Sequence, residues 1–314
     1  MILAGDIGGT KVNLALYEER AGRLEPIRCE RYSSLDSSGL EPILDEFLSS
    51  ETVDIQRACF GVAGPVKSGV CRVTNLSWEV SASALKKRLG TDRVFLLNDL
   101  AAMASSIPFL SASQCVELQG GASGNGRIAV LAAGTGMGQA FLWPQDDGRR
   151  EIIDTEGGHC DFAPRTTEEA ELLRFFLKRW DRVSIERVLS GDGLAALHQF
   201  LSSPQEQEAL SSADVIRYGL SGEDAVCRQA LQWFASLYGA CAGNLALQIL
   251  AEGGVYVGGG LAPRLLPVLQ EGGFMEAFRA KGRFSAFLEK MPVRVIVDEN
   301  APLLGAARFA QAAQ

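Results

Sequence analysis

Ile2-Leu3-Ala4-Gly5-Asp6-Ile7-Gly8-Gly9-Thr10 opens the chain, and how it reads decides the fold. Residues 2–7 form an apolar run of strand length, and Gly8-Gly9 breaks it. Val12-Asn13-Leu14-Ala15-Leu16-Tyr17 then alternates as a second strand, Arg20-Ala21-Gly22 turns, and residues 26–32 return as a third. This predicts an antiparallel meander. The pattern recurs about 125 positions later, with Ile128–Ala133 as strand, Gly134-Thr135-Gly136-Met137-Gly138 as turn and residues 139–143 as the answering strand. Two such hairpins predict a duplicated lobe rather than one continuous sheet.

The intervening chain alternates helix and strand, which indicates an α/β class. Residues 40–48 and 82–89 fit helices, the second with Lys86, Lys87 and Arg88 near its C-terminal end, where cations suit the helix dipole. Residues 58–63 and 94–97 fit buried strands, the latter ending at Asn98-Asp99. Thr166 and Glu169 predict a capping box ahead of a helix face made by Leu172, Leu173, Phe176, Leu177 and Trp180. Residues 230–250 are nearly uncharged and predict a helix buried on most sides, ended by Gly253-Gly254. A strand at 255–257 runs into Gly258-Gly259-Gly260, a helix starts at Pro263, a strand covers 293–297 and an Ala-rich helix covers 303–313.

Composition bounds the partners. The 314 residues are 47% hydrophobic and 22% charged, which argues against long disorder, and their net charge of −8 argues against nucleic acid or an anionic membrane. The N-terminus has no basic n-region, so no signal peptide is expected. The longest uncharged run, 128–145, is interrupted by Gly134, Gly136, Gly138 and Pro144 and does not read as a membrane span. Seven cysteines without a C-x-x-C pair read as reduced thiols of a cytoplasmic protein. With His159 and His198 the only histidines, a zinc site is not expected.

Thirty-four glycines, about 11% against a usual ~7%, cluster at strand ends. At Gly8, Gly9 and Thr10 they would let backbone N–H groups approach a polyphosphate, with Asp6 facing a hydrated Mg²⁺; the alternative is a hairpin that needs φ > 0. Gly134-Thr135-Gly136 offers the same physics, and Gly258-Gly259-Gly260 is a third close approach. The G-x-G-x-G spacing is not a dinucleotide fingerprint, and no P-loop motif occurs. Asp99 at a strand's carboxyl edge is a candidate general base, although Asn-Asp at such a place is also a common helix cap. Glu156-Gly157-Gly158-His159 suits a polyhydroxylated ligand. Glu186 by itself reads as a solvated helix charge.

Taken in order, Gly5–Thr10, Thr74-Asn75-Leu76-Ser77-Trp78, Asn98-Asp99, Gly134–Gly138, Glu156–His159, Glu186–Gly191 and Gly258–Arg264 resemble the bacterial glucokinases of the hexokinase/actin-like ATPase superfamily. The resemblance runs from Gly5 to about Gly305. It implies a ribonuclease H-like fold with two α/β lobes around an interlobe cleft, the small lobe residues 1–110 plus 300–314 and the large lobe 111–299. It implies phosphorylation of glucose at its 6-hydroxyl by ATP, with Mg²⁺ carried by the nucleotide and held at most through water on Asp6. By position, Asp99 matches the catalytic base, and Asn98, Glu156, His159 and Glu186 match the other sugar contacts. Asp6, Gly8, Gly9, Thr10, Lys11, Gly134, Thr135, Gly136, Gly258, Gly259 and Gly260 match the ATP site. A homodimer in the cytoplasm is implied as well.

Two departures stand out. Lys11-Val12-Asn13 occurs where many relatives carry Asn first and Arg third, so Lys11 is a candidate to replace the missing charge. The zinc-binding Cys cluster of the related repressor–ORF–kinase sugar kinases is absent, which places the chain with the zinc-free group. A kinase for another hexose or an acylated hexosamine, a non-catalytic sugar sensor and an actin-like filament protein are the competing readings. A sensor would carry a DNA-binding segment, for which a first strand starting at residue 2 leaves no room at the N-terminus. A filament protein would not need Asn98-Asp99 together with Glu156 and His159.

Overall fold

The computed structural model describes residues 1–49, 53–74, 76–121, 124–202 and 210–313. Asn75 of the Thr74–Trp78 stretch lies outside the described residues. The chain divides into two compact units, Met1–Ser111 with Asp298–Gln314, and Ala112–Val297.

The first unit opens with β1 (Ile2–Ile7), β2 (Lys11–Arg20) and β3 (Arg23–Ser33), the predicted meander. Helix α1 (Leu40–Leu48) follows, burying Leu40, Ile43, Leu44 and Phe47, the i, i+3, i+4, i+7 face of an amphipathic helix. After β4 (Arg57–Val62) comes a small sheet of β5 (Val66–Lys67), β6 (Val70–Arg72) and β7 (Glu79–Ser81) that the sequence reading did not find. Its strands of two or three residues are too short to show a period. Helix α2 (Ala82–Leu89), β8 (Val94–Asn98) and α3 (Asp99–Ser106) complete the run. The main sheet has the order β3-β2-β1-β4-β8, with β1, β4 and β8 parallel.

The second unit holds β9 (Cys115–Gln119), β10 (Ile128–Ala133), β11 (Met137–Pro144) and β12 (Arg150–Thr155). Helices α4 (Thr167–Leu177), α5 (Ile185–Val188), α6 (Gly191–Leu201), α7 (Ser212–Ser221) and α8 (Ala225–Ile249) follow. Then come β13 (Gly254–Gly258), α9 (Ala262–Leu269), α10 (Gly273–Arg279), α11 (Ser285–Leu288) and β14 (Val293–Ile296). Its sheet order is β12-β11-β10-β13-β14-β9. The first five strands repeat the order and directions of the first unit's sheet, so the two hairpins belong to two copies of one topology. Helix α8 is the spine of this unit's core; Phe234, Tyr238, Ala242 and Leu245 are buried on it, and it packs on β10 and β13.

The chain then re-enters the first unit as α12 (Ala301–Ala312), packed on α3. A Cβ at Gly305 would overlap the Ala102 carbonyl, so a glycine is what lets these helices meet backbone to backbone.

Four local expectations need correction. The second glycine turn is shorter than read, because β11 already begins at Met137. Helix α8 stops at Ile249 rather than at Gly253-Gly254, with Leu250 taking the left-handed cap conformation at φ 50°. The Thr166 hydroxyl does cap α4 by accepting from the Glu169 N–H. The Glu169 carboxylate, however, accepts from the backbone N–H and guanidinium of Arg165 instead of closing a reciprocal box. Finally, α4 ends at Leu177, which is exposed, and Trp180 lies beyond the helix stacked on Phe176.

Candidate functional site

In the first unit, Asp6 and the Asn98-Asp99 pair stand near the carboxyl ends of β1 and β8, with β4 between them. Asp6 is paired in register with Asn13 of β2, whose amide Nδ2 donates to Asp6 Oδ2 at 3.0 Å. Burial raises the Asp6 carboxyl above its usual range, against the opposing pull of the Asn13 hydrogen bond and the charges of Lys11 and Arg31. The turn that follows is braced from three sides. Gly8 N–H donates to Lys11 O at 2.9 Å, Ser34 N–H to Thr10 O at 3.2 Å and the buried Ser34 hydroxyl to Gly8 O at 2.8 Å. β1 and β2 do form an antiparallel hairpin here, but neither Gly8 nor Gly9 lies in the left-handed region, so that conformation is not what calls for glycine. Thr10 and Lys11 are exposed.

Asn98 is the N-cap of α3, its Oδ1 accepting from Leu100 N–H at 3.0 Å while Nδ2 donates to Gly64 O at 3.3 Å. The cap reading therefore holds for Asn98, and it leaves Asp99 as the first helical residue. Asp99 is half-buried with Oδ1 accepting from Leu100 N–H at 2.9 Å. Its carboxylate faces Cys71, whose thiol is pushed up first by burial and then by that negative charge. Gly61 on β4 makes room: a Cβ there would lie 2.7 Å from the Ala102 Cβ and 3.5 Å from the Asp99 Cα.

In the second unit the remaining candidates gather around the ends of β10, β11 and β13. Gly134 N–H donates to Gly136 O at 2.8 Å, and Gly191 N–H, at the start of α6, donates to Gly134 O at 2.9 Å. Glu186 on α5 is not the solvated charge that its local sequence suggested. Its Oε2 accepts from Met137 N–H at 2.9 Å, anchoring the glycine turn. Gly259 has φ 84°, the left-handed region, and a Cβ on it would overlap the Ala133 carbonyl; Gly260 faces open space and is exposed. An ideal Cβ on Gly134 would have Gly260 N as its nearest neighbour, at 3.8 Å, which puts the glycine turn and the glycine triplet side by side.

Tyr238, which the sequence reading did not single out, ties these two stretches together. Its buried hydroxyl accepts from Ala133 N–H at 3.1 Å and lies 3.4 Å from the Leu131 and Gly258 carbonyls. Only its place on a nearly uncharged helix hinted at burial, since a buried Tyr hydroxyl needs partners.

Glu156 and His159 are exposed on a single 3₁₀ turn, His159 Nε2 3.8 Å from Glu156 Oε2. Their two glycines are packing requirements: a Cβ at Gly158 would overlap the Met137 carbonyl and one at Gly157 the Gln139 side chain. Thr155 Oγ1 accepts from Gly157 N–H at 3.1 Å and donates to Gln139 O at 2.9 Å, fixing the turn on β11. Both side chains are thus displayed to solvent from a rigid base.

One metal-type cluster forms among the described residues, against the expectation that cysteine and histidine are too scattered: the ligand atoms of His198, Asp224 and Cys227 lie within 4.8 Å of one another. Three donors are one short of a closed tetrahedral zinc set. Asp224 is already engaged as the cap of α8, accepting from Cys227 N–H at 2.8 Å, and burial pushes the Cys227 thiol up to about 11, away from the thiolate a metal needs.

The chain matches the glucokinase family model over residues 3–313. A glucokinase from Synechocystis sp. is 38% identical, with 97% of this chain and 96% of that protein covered. Among solved structures, a glucokinase from an Antarctic psychrotroph superposes with a TM-score of 0.88 at 34% identity over 99% of both chains. A glucokinase of the ROK family from Streptomyces griseus, solved with glucose and AMPPNP, shares the fold at a TM-score of 0.68 and 21% identity, over 99% of both chains. The fold is that of the actin-like ATPases. By its residues, its two like-ordered sheets and these relatives, the chain belongs to the glucokinase family.

Proposed function

We infer that the chain transfers the γ-phosphoryl group of ATP to the 6-hydroxyl of D-glucose, forming glucose 6-phosphate and ADP. Phosphoryl transfer has a loose transition state, so the protein acts by positioning and by charge rather than by covalent chemistry. Asp99 accepts the proton of the 6-hydroxyl as the bond to phosphorus forms. Its placement carries the reading: it is the first residue of a helix that begins where a parallel strand ends, and its neighbour Asn98 is locked by two hydrogen bonds. Asn98, Glu156, His159 and Glu186 take the sugar hydroxyls.

The nucleotide's phosphates lie against the backbone of Asp6, Gly8, Gly9, Thr10 and Lys11 and against Gly134, Thr135 and Gly136. The adenosine borders Gly258, Gly259 and Gly260. Magnesium carried by ATP would supply charge neutralisation at the phosphates. Asp6 fits it through water, since a carboxylate is a hard oxygen donor and the Asn13 hydrogen bond engages only Oδ2.

No described helix is long and apolar enough to cross a membrane. We further propose a cytoplasmic enzyme, and the net charge of −8 speaks against nucleic-acid or anionic-membrane partners. The working form proposed is a homodimer.

Phosphorus NMR of a reaction with ATP, Mg²⁺ and glucose tests the assignment. A 6-phosphate ester must appear with ADP, and 6-deoxyglucose must not be phosphorylated. Phosphate at another position, or none, would contradict it.

A further inference from the structure

Three side chains line up across the first sheet: Asp6 on β1, Asn13 on β2 and Arg31 on β3, each opposite the next in register. Arg31 Nε donates to Asn13 Oδ1 at 3.0 Å, and Asn13 Nδ2 donates to Asp6 Oδ2 at 3.0 Å. The other branch of the guanidinium donates to Glu299 Oε2 at 2.8 Å. Asn13 is only 5% exposed, whereas 56% of the Arg31 side chain is exposed.

The chemistry of the three groups makes this chain of hydrogen bonds directional. A guanidinium has only donors, an ionised carboxylate only acceptors, and an amide has one end of each. With Arg31 holding the amide oxygen, Asn13 can present only its NH₂ to Asp6. Without Arg31, the buried amide oxygen loses its partner, and the amide that donates to Asp6 Oδ2 is no longer fixed from its far side. Lys11 occupies the exposed start of β2 and cannot supply this orientation.

We infer that Arg31 is a positioning residue for nucleotide binding: through Asn13 it holds the Asp6 carboxylate by Oδ2, and that carboxylate would take the hydrated Mg²⁺ of ATP. This rests on the assignment of Asp6 to the nucleotide's phosphate end. Partners of this kind behind a metal-facing group are typically worth about 10- to 100-fold in affinity or activity.

The test compares Arg31→Leu, Asn13→Ala and the double variant. Two readouts are used: the affinity for AMP-PNP with and without Mg²⁺ by calorimetry, and kcat with glucose and ATP. Each single variant is expected to weaken Mg²⁺–AMP-PNP binding about tenfold or more, with little change in Mg²⁺-free binding and with KM for glucose within twofold. Because one relay is broken in either case, the double variant loses no more than the worse single. Arg31→Leu removes an exposed ion pair of small worth together with the partner of the Asn13 amide oxygen, so folding is checked directly. Circular dichroism checks this, and Arg31→Lys, which keeps the charge but not the fork, recovers part of the loss.

Mg²⁺–AMP-PNP affinity within twofold of wild type in Arg31→Leu would overturn the proposal. So would losses that multiply in the double variant. If the wild-type protein binds Mg²⁺–AMP-PNP but does not phosphorylate glucose, the functional reading falls while the calorimetric comparison still decides the relay.

Discussion

Substituting Gly136 by alanine isolates the contact between the second glycine turn and Glu186. Gly136 does not lie in the left-handed region, so the perturbation by alanine is chiefly steric. The added Cβ would lie 2.5 Å from Glu186 Oε2 and 3.4 Å from its Cδ. An ordinary contact requires the carboxylate to retreat by roughly 0.5–1 Å, which stretches the 2.9 Å hydrogen bond from Met137 N–H past the range in which it counts as one. A hydrogen bond to a charged acceptor contributes about 1.5–3 kcal/mol, or roughly 10- to 150-fold. Glu186 is assigned to the sugar and also anchors the phosphate turn, so the penalty reaches both substrates. Steady-state kinetics with each substrate varied in turn should show KM rising for glucose and for ATP together, with kcat/KM down about tenfold or more. Unchanged circular dichroism would exclude unfolding as the cause. Kinetics within twofold of wild type for both substrates would refute the coupling, and a defect in ATP alone would remove Glu186 from the sugar site.

Asp99→Asn should lower kcat by ~10²–10⁴ while glucose still binds measurably; more than half of wild-type turnover would end its assignment as the base. Glu156→Ala and His159→Ala should raise KM for glucose far more than KM for ATP, and a defect confined to ATP would move both residues out of the sugar site. Burial raises the Cys227 and Cys241 thiols to about 11 and about 12 from the ordinary 9.0. The folded state therefore holds protons that the unfolded chain releases, and stability present below pH 9 is lost as pH rises towards 11–12. The slope is at most ~1.4 kcal/mol per pH unit per thiol. Thermal melts from pH 8 to pH 11 that stay level would contradict this.

The strands were legible wherever burial on both faces leaves an apolar run, as in β1, β4, β8 and β10, and the recurrence of strand, glycine turn and strand exposed the duplication. Strand β12 was not legible. Its sequence Arg150-Glu151-Ile152-Ile153-Asp154-Thr155 is at the sheet edge and largely exposed, so no buried face imposes alternation. The limits at the candidate site have a different cause. Asp6, Asn98 and Asp99 sit at strand ends that composition marks. Glu186 is held by Met137, 49 positions away, and Tyr238 bonds across more than 100 positions to β10. Arg31 looks like one more charge on an edge strand until the register sets it opposite Asn13. Such roles belong to sheet pairing and helix packing, which local periodicity does not encode.

The central claim is tested most directly by kcat/KM for a panel of hexoses with ATP and Mg²⁺. Acceptors that a bound sugar covers and that then lack a hydroxyl partner cost roughly 1–3 kcal/mol each, so glucose should exceed fructose, galactose and N-acetylmannosamine by at least about tenfold. No sugar phosphate from glucose, or equal efficiency with N-acetylmannosamine, would contradict the account.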